Sequence, residues 1–127
     1  TLFACLGLLS PMLRSTAFHA PAMARSAASG FTNATDAADY LVGKGIPFRQ
    51  AHEIIGRMVL HCLKRGIGLE QLGEQELKEF SPLIGPDFYE AIGMAACVGR
   101  RDLAGGPAPA RVREHIQIVR EKVGAWA

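Results

Sequence analysis

Residues 31–65 carry the clearest pattern of hydrophobic and polar positions in the chain, and they predict two helices joined by a glycine turn. The second helix is apolar on one face and charged on the other, which is typical of an amphipathic helix packed on a core. The apolar face consists of Phe48, Ala51, Ile55, Met58 and Cys62, and the charged face of Arg49, Glu53, Arg57 and Lys64. The pattern predicts a helical hairpin.

The ends of both hairpin helices are also signalled. Short polar side chains are expected to cap the start of the first helix, and acidic ones to interact with its dipole. Glycine ends a helix readily because it enters the left-handed conformation without steric penalty, and proline suits a first position. The signals are Asn33, Thr35, Asp36 and Asp39 at the first start, Gly43 and Gly45 at the first end, and Pro47 and Gly66 around the second helix.

Residues 1–28 show hydrophobic or small residues at alternating spacings of four and three, which predicts a coiled-coil seam. The seam positions are Leu2, Leu6, Leu9, Leu13, Thr16, Ala20, Met23 and Ala27. Pro11 and Pro21 should each kink or break this helix, at about 3 kcal/mol for an interior position. Because so few charges accompany the seam, we expect it to need partner helices that this sequence does not obviously supply.

The rest of the sequence predicts short helices, each with a few apolar anchors. Leu69 and Leu72 anchor a connection, and Gly73 with Glu76 resembles a capping box. The expected helices are Glu74 to Phe80 with Leu77 and Phe80 inward, one starting at Gly85-Pro86-Asp87 with Phe88 and Ile92 inward, Met94 to Arg101, and one from Pro109 with Val112, Ile116, Val119 and Val123 on one face. No window shows strand-type alternation, so the predicted fold class is all-α.

Composition agrees with one ordinary core. The chain has 127 residues, of which 49% are hydrophobic, enough for one compact domain. A formal net charge of +2 is too small to indicate a nucleic acid or an anionic membrane as partner. Cys5, Cys62 and Cys97 each lie among apolar residues, which predicts reduced, buried thiols rather than disulfides or a zinc site.

The histidines and cysteines form no recognisable catalytic or metal-binding pattern. His52 and His61 lie too far apart on one helix to share a metal, and His19 and His115 have no acidic or thiol neighbour in sequence. Structural or solvent roles are therefore predicted for all four, with no metal. Cys62 follows His61, but successive helical residues point about 100° apart, so a core position is the favoured interpretation.

Two further interpretations are weaker. Asp36 and Asp39 could form paired carboxylates for acid–base chemistry, but helix capping explains them more simply. The hairpin could be a helix-turn-helix, but acidic residues such as Glu53 interleave with its basic ones, so no nucleic acid is predicted as partner.

The apolar run at the start, LFACLGLL, has no basic residue before it and is too short to cross a bilayer. Neither a signal peptide nor a membrane partner is therefore predicted. Since the sequence opens at Thr1 directly on this run, we expect it to be part of a longer protein.

Long stretches of this sequence resemble the C-terminal domain of the argininosuccinate lyases, which belong to the fumarase/aspartase superfamily. The similar stretches are NATDAADYLVGKGIPFRQAHEIIG, LEQLGEQELKEFSPLIGPDFYEAI and the glycine pair of LAGGPAPARV. Together they extend over nearly the whole chain, which makes the resemblance more specific than a short motif.

The resemblance implies an enzyme of arginine biosynthesis that cleaves argininosuccinate to arginine and fumarate by anti elimination, with no cofactor or metal. In the family, the catalytic serine lies on a loop of the form Gly-Ser-Ser-x-Met-Pro-x-Lys-x-Asn, and the general-acid histidine lies in another upstream segment. Neither motif occurs here, so no catalytic, cofactor-binding or metal-binding residue is predicted in this chain. The resemblance also implies a cytoplasmic homotetramer that assembles through a central helix bundle.

Residues 1–30 are therefore predicted to be the last part of that bundle, and residues 31–127 a C-terminal helical domain. Two departures from the family pattern are Pro107, where threonine often follows the glycine pair, and Pro21, which lies in an expected bundle helix. The predicted function is structural: this segment completes the lyase subunit and supports assembly with the remaining domains and subunits. The alternative is a stand-alone helical interaction module without enzymatic activity.

Overall fold

The computed structural model describes residues 1–125, which form eight α-helices and one 3₁₀ turn and contain no strand. The all-α prediction is confirmed. The helices are α1 (Leu2–Ser15), α2 (Ala20–Ala27), α3 (Ala34–Gly43), α4 (Phe48–Arg65), α5 (Glu74–Phe80), α6 (Asp87–Ile92), α7 (Met94–Gly99) and α8 (Pro109–Gly124), and the 3₁₀ turn (Leu69–Gln71) lies between α4 and α5.

Helices α3 and α4 form the predicted hairpin, and the apolar face of α4 lies at the centre of the core. Four of its five predicted positions, Ala51, Ile55, Met58 and Cys62, are at most 3% exposed. Phe48 is the exception at 58% exposure, because α4 begins one turn before the part of the helix that the core covers. The prediction that Phe48 faces the core is wrong.

Both hairpin helices end in a Schellman motif, the hydrogen-bonded C-cap in which glycine takes a left-handed conformation. At the end of α3 the amide of Ile46 donates to the carbonyl of Leu41 at 3.1 Å, and Gly45 has φ +96°. Gly66, with φ +66°, ends α4 in the same way. Gly43 differs from its prediction as a stop signal, because it is the last residue inside α3.

The side-chain cap predicted at the start of α3 is wrong for Asn33. Its side chain makes no hydrogen bond to the first turn of the helix. Instead Nδ2 donates to the carbonyl of Ile92 at 3.1 Å and to Oε1 of Glu70 at 2.5 Å, and Asn33 is only 3% exposed. The side chain is thus used to tie the start of α3 to two segments that are distant in sequence.

The segment after α4 closes the core as predicted. The predicted anchors Leu69, Leu72, Leu77, Phe88 and Ile92 are at most 2% exposed, and Phe80 is partly buried against them. Ile84 is 2% exposed as well, although it was not predicted. One half of the predicted capping box forms at the start of α5, since the amide of Gly73 donates to Oε2 of Glu76 at 2.9 Å, whereas glycine has no side chain to supply the other half. Tyr40 of α3 packs edge-on against Phe88 with ring centroids 5.3 Å apart, which joins α3 to α6.

Helices α1 and α2 lie outside this core, and every residue from 1 to 30 is exposed. The break predicted near Pro21 is confirmed, because α2 starts there after a non-helical stretch at residues 16–19. Pro11 does not break the helix, since it lies inside α1. Since nothing in the described chain covers α1, Cys5 is exposed, and its prediction as a buried thiol is wrong; Cys62 and Cys97 are buried and unpaired as predicted.

Helix α8 also contains no buried residue, although its predicted apolar face does form. The core therefore uses α3 to α7, whereas three helices at the two ends of the described chain leave their apolar sides open.

Replacement of Phe88 by alanine should lower the free energy of unfolding by about 3–5 kcal/mol, because it empties a fully buried site. Phe48→Ala is the matched control, since it removes the same side chain from an exposed position and should cost less than about 1 kcal/mol. Urea denaturation followed by circular dichroism measures both. Equal losses for the two variants would contradict the described core.

Candidate functional site

Asp36 is the one acidic side chain that is buried among the described residues, at 4% exposure. Two arginines at the end of α7 surround its carboxylate. Arg100 donates from Nη2 to Oδ1 at 2.8 Å, and Arg101 donates from Nη1 to Oδ1 at 3.1 Å and from Nη2 to Oδ2 at 3.0 Å. This cluster of Asp36, Arg100 and Arg101 links α3 to the end of α7.

The two guanidinium groups keep Asp36 ionised. Burial by itself would raise the pKa of this carboxyl, but the hydrogen bonds from Arg101 and Arg100 outweigh burial and lower its pKa to about 2. Asp36 in turn raises the pKa of Arg101. A carboxylate held in this way is an acceptor of structural hydrogen bonds and is poorly suited to exchange protons near neutral pH.

Cys97 contacts both arginines of the cluster and is 5% exposed. Its carbonyl accepts a hydrogen bond from Arg101, and its thiol donates to the carbonyl of Ile92 at 3.4 Å. Burial raises the pKa of the thiol, and the nearby Asp36 carboxylate raises it further. The thiol is therefore protonated and unreactive at neutral pH.

These contacts correct the interpretation of Asp36 and Asp39. Asp36 serves neither as a helix cap nor as half of a carboxylate pair, because both of its oxygens accept bonds from arginines some 64 residues further along the chain. Asp39 is exposed on the next turn of α3. No local pattern in the sequence shows that Asp36 is buried or identifies the arginines that bind it, because its partners Arg100 and Arg101 are distant along the chain.

His61 takes part in a surface contact and does not activate its neighbour Cys62. Its Nε2 lies 3.6 Å from Oε1 of Glu76, which also pairs with Arg65, and its ring meets Phe80 edge-on at 5.5 Å. Cys62 is fully buried, and burial raises the pKa of its thiol. The predicted core role of Cys62 is confirmed.

The other histidines do not assemble a chemical site. His19, His52 and His115 are exposed, and His52 stands beside Phe48 with ring centroids 6.2 Å apart. Within residues 1–125 no three histidine, cysteine, aspartate or glutamate side chains are grouped so that they could hold a metal ion.

Some basic side chains of the described surface pair with acidic ones. Lys44 pairs with Asp87 at 2.7 Å, and Arg111 pairs with Asp102 and with Glu114, each at 2.8 Å. None of the helices in residues 1–125 combines the length and the hydrophobicity that a bilayer crossing requires.

A shallow groove of about 410 Å³ runs between α3 and the first half of α4. Its lining is mostly small or apolar and consists of Ala34, Thr35, Ala38, Phe48, His52, Ile55, Gly56 and Val59. It contains no charged side chain. The groove is suited to packing against another apolar surface and lacks the convergent polar groups of a catalytic pocket.

Helices α1 and α2 expose an apolar surface that no other element of the described chain covers. The seam leucines Leu2, Leu6, Leu9 and Leu13 are 70%, 55%, 50% and 66% exposed, and Met23 is 56% exposed. Arg14 and Arg25 are the only residues of lysine, arginine, aspartate or glutamate type in residues 1–30. An apolar surface of this kind is typical of a site of association.

Comparison with known proteins identifies relatives over almost the whole chain. Residues 31–99 match the family described as argininosuccinate lyase C-terminal. The argininosuccinate lyase of Pelotomaculum thermopropionicum is 50% identical over 119 residues, which are 94% of this chain and 26% of the relative. The argininosuccinate lyase of Desulforamulus reducens is 46% identical over 123 residues, or 97% of this chain and 27% of the relative. The chain thus spans about a quarter of the length of these relatives.

The low pKa of Asp36 predicts a loss of stability in acid. Because the folded-state pKa, about 2, is below the ordinary value of 3.8, the stabilisation is complete above pH 3.8 and is lost as the pH falls through about 2. The difference corresponds to roughly 2 kcal/mol. Asp36→Asn should remove this part of the pH dependence of the unfolding free energy, measured by denaturant titration between pH 2 and pH 5.

Asp39→Asn is the matched control for this measurement, because it neutralises an exposed aspartate on the same helix. It should leave the acid-dependent loss close to that of the unmodified chain. An unchanged pH profile in Asp36→Asn would show that the Asp36 cluster does not stabilise the fold.

Proposed function

This chain belongs to the argininosuccinate lyase C-terminal family, and we propose that it works as the C-terminal portion of an argininosuccinate lyase. The complete enzyme would cleave argininosuccinate to arginine and fumarate in arginine biosynthesis. This segment would complete the subunit and support its assembly, and it would contribute no catalytic residue. The enzyme would act in the cytoplasm as a homotetramer.

The exposed seam of α1 and α2 is the observation that carries this function. Its leucines have the spacing of a coiled-coil interface, yet no residue of either helix is buried. Small residues beside the seam, such as Ala4 and Gly7, would allow close approach of neighbouring helices. We therefore assign residues 1–30 to the end of a helix bundle and residues 31–127 to the C-terminal domain.

The hydrogen bonds and pKa values of buried polar groups support a structural role for the part of the chain that follows residue 30. Asp36 is engaged by two arginines, and the thiols of Cys62 and Cys97 have raised pKa values. These three groups, which could otherwise act as a base or a nucleophile, thus serve the fold. We expect the chain alone to release no fumarate from argininosuccinate, as followed by ultraviolet absorbance.

A chimaera tests the proposed function directly. In the Pelotomaculum thermopropionicum argininosuccinate lyase, the matching C-terminal quarter would be replaced by this chain. The chimaera should release fumarate at a rate within about tenfold of the parent enzyme, whereas the parent without its last quarter should be inactive, because the bundle and the subunit contacts are then incomplete. The rates are measured in the same ultraviolet assay.

Two leucine variants of the chimaera separate the seam from general surface effects. Leu9→Glu places a charge on the seam and should abolish assembly and activity, and Leu8→Glu places it on another side of α1 and should cost less. An inactive chimaera that still forms a tetramer would contradict the proposed function. Fumarate release by the isolated chain would contradict the assignment of a purely structural role.

The isolated chain should self-associate through α1 and α2, because no other element of the described chain covers their apolar side chains. Its mass in solution should exceed the 13.6 kDa of one chain, and a chain reduced to residues 31–127 should be monomeric or less associated. Light scattering coupled to size-exclusion chromatography measures both. Monomeric masses for both chains would contradict the assignment of the seam and would favour a stand-alone module.

A further inference from the structure

The C-terminal helix α8 has an apolar stripe that the described chain leaves uncovered. The stripe consists of Val112, Ile116, Val119 and Val123, which are between 42% and 54% exposed. Spacings of four, three and four place these residues along one side of the helix. The helix is nevertheless held at its start, because Nε of Arg111 donates to Oδ1 of Asp102 at 2.8 Å.

Basic side chains line both edges of the α8 stripe. At about 100° per residue, Arg113 and Arg120 lie along one edge, and His115 and Lys122 lie along the other. All four are exposed. In a two-stranded coiled coil these edge positions form the ion pairs that select the partner helix. The edges of α8 thus offer positive charge on both sides and no negative charge.

The acidic side chains of α8 lie on the side opposite the stripe. Glu114 and Glu121 are turned about 180° from the centre of the stripe. Each already has a donor there, because Arg111 donates to Glu114 at 2.8 Å and Gln117 donates to Glu121 at 2.8 Å. The carboxylates of α8 therefore leave the basic edges without a neutralising partner on the same helix.

A second copy of α8 is a poor occupant of the stripe. In a parallel pair the two different edges would meet, and in an antiparallel pair each edge would meet itself, so basic residues would oppose basic residues in both orientations. The α1 helix of another copy is no better matched, since Arg14 is its only charged residue.

An anionic membrane would match the charge of the edges but not the shape of the stripe. Helices that lie on membranes usually present leucine or aromatic side chains to the lipid. The stripe is instead made of valine and isoleucine, whose branched side chains pack well into the holes of a facing helix. The observations therefore favour a protein helix as the occupant.

We propose that α8 binds an amphipathic helix of a partner polypeptide whose apolar seam is flanked by glutamate or aspartate. The seam of the partner covers the α8 stripe, and its acidic flanks pair with Arg113, Arg120 and Lys122. This inference rests on α8 alone and does not depend on the function proposed above.

Two designed helical peptides of equal length test the inference with the full chain. Both have leucine and isoleucine along one seam, and their flanking positions are all glutamate in one and all lysine in the other. The glutamate peptide should bind about tenfold more tightly, which three exposed interhelical ion pairs can provide. Fluorescence anisotropy at low salt measures the two affinities, and the difference should shrink as salt screens the charges.

Variants of the full chain locate the binding on α8. The triple change Arg113→Glu, Arg120→Glu and Lys122→Glu should invert the preference, so that the lysine peptide binds more tightly. Ile116→Asp should weaken binding of the glutamate peptide at least about tenfold. Ile118→Asp is its matched control, because this isoleucine is similarly exposed, at 41% against 45%, but lies outside the stripe. Circular dichroism checks that each variant is folded.

Three results would overturn the inference. Equal affinity for the two peptides, or no binding of either, would remove the role of the basic edges. If the triple charge-reversal variant still bound the glutamate peptide more tightly than the lysine peptide, the binding site would lie on another surface, such as α1. Binding to phosphatidylserine vesicles that Ile116→Asp weakens, in the absence of any preference between the peptides, would identify a lipid surface as the occupant.

Discussion

Burial of the apolar face of α4 is the interaction on which the rest of the structure depends. Met58 and Cys62 are fully enclosed, and the elements around them, α3, the 3₁₀ turn and α5, use their own apolar sides to enclose them. This core is completed by α3 to α7 and the 3₁₀ turn, and it buries no residue of α1, α2 or α8. The apolar sides of these three helices therefore stay exposed in the described chain.

Polar contacts fix the positions of segments that bury few apolar side chains. Helix α7 contributes one buried side chain, Cys97, and its position depends on the arginines at its end, which reach the Asp36 carboxylate on α3. Asn33 acts similarly, by holding the start of α3 to the end of α6 through the carbonyl of Ile92. Because these groups are buried and bonded, each fixes a specific arrangement that apolar contacts alone would leave less defined.

Sequence patterns predicted the features that depend on residues close together in the chain. They missed the contacts between residues that are distant in the chain. The hairpin, the stops at Gly45 and Gly66 and the contact between Gly73 and Glu76 follow from local spacing, and the sequence predicts them. The partners of Asn33 and Asp36 lie 37 to 65 residues away, so no local pattern identifies them. Cys5 and Phe48 were misassigned for a related reason, since an apolar neighbourhood in sequence does not reveal whether another element covers the residue.

The two open apolar surfaces differ in the charges beside them, and this difference bears on what each can bind. The seam of α1 is nearly free of charge and is accompanied by small residues, so close packing alone would select its partners, as in the interior of a bundle. The stripe of α8 has basic edges on both sides, so a partner must also supply negative charge. Under the two proposals above, α1 would discriminate between partners by shape, and α8 by shape and charge together. Partners that satisfy both surfaces at once would have to present two distinct helices, which a multi-helix assembly can do and a single short segment cannot.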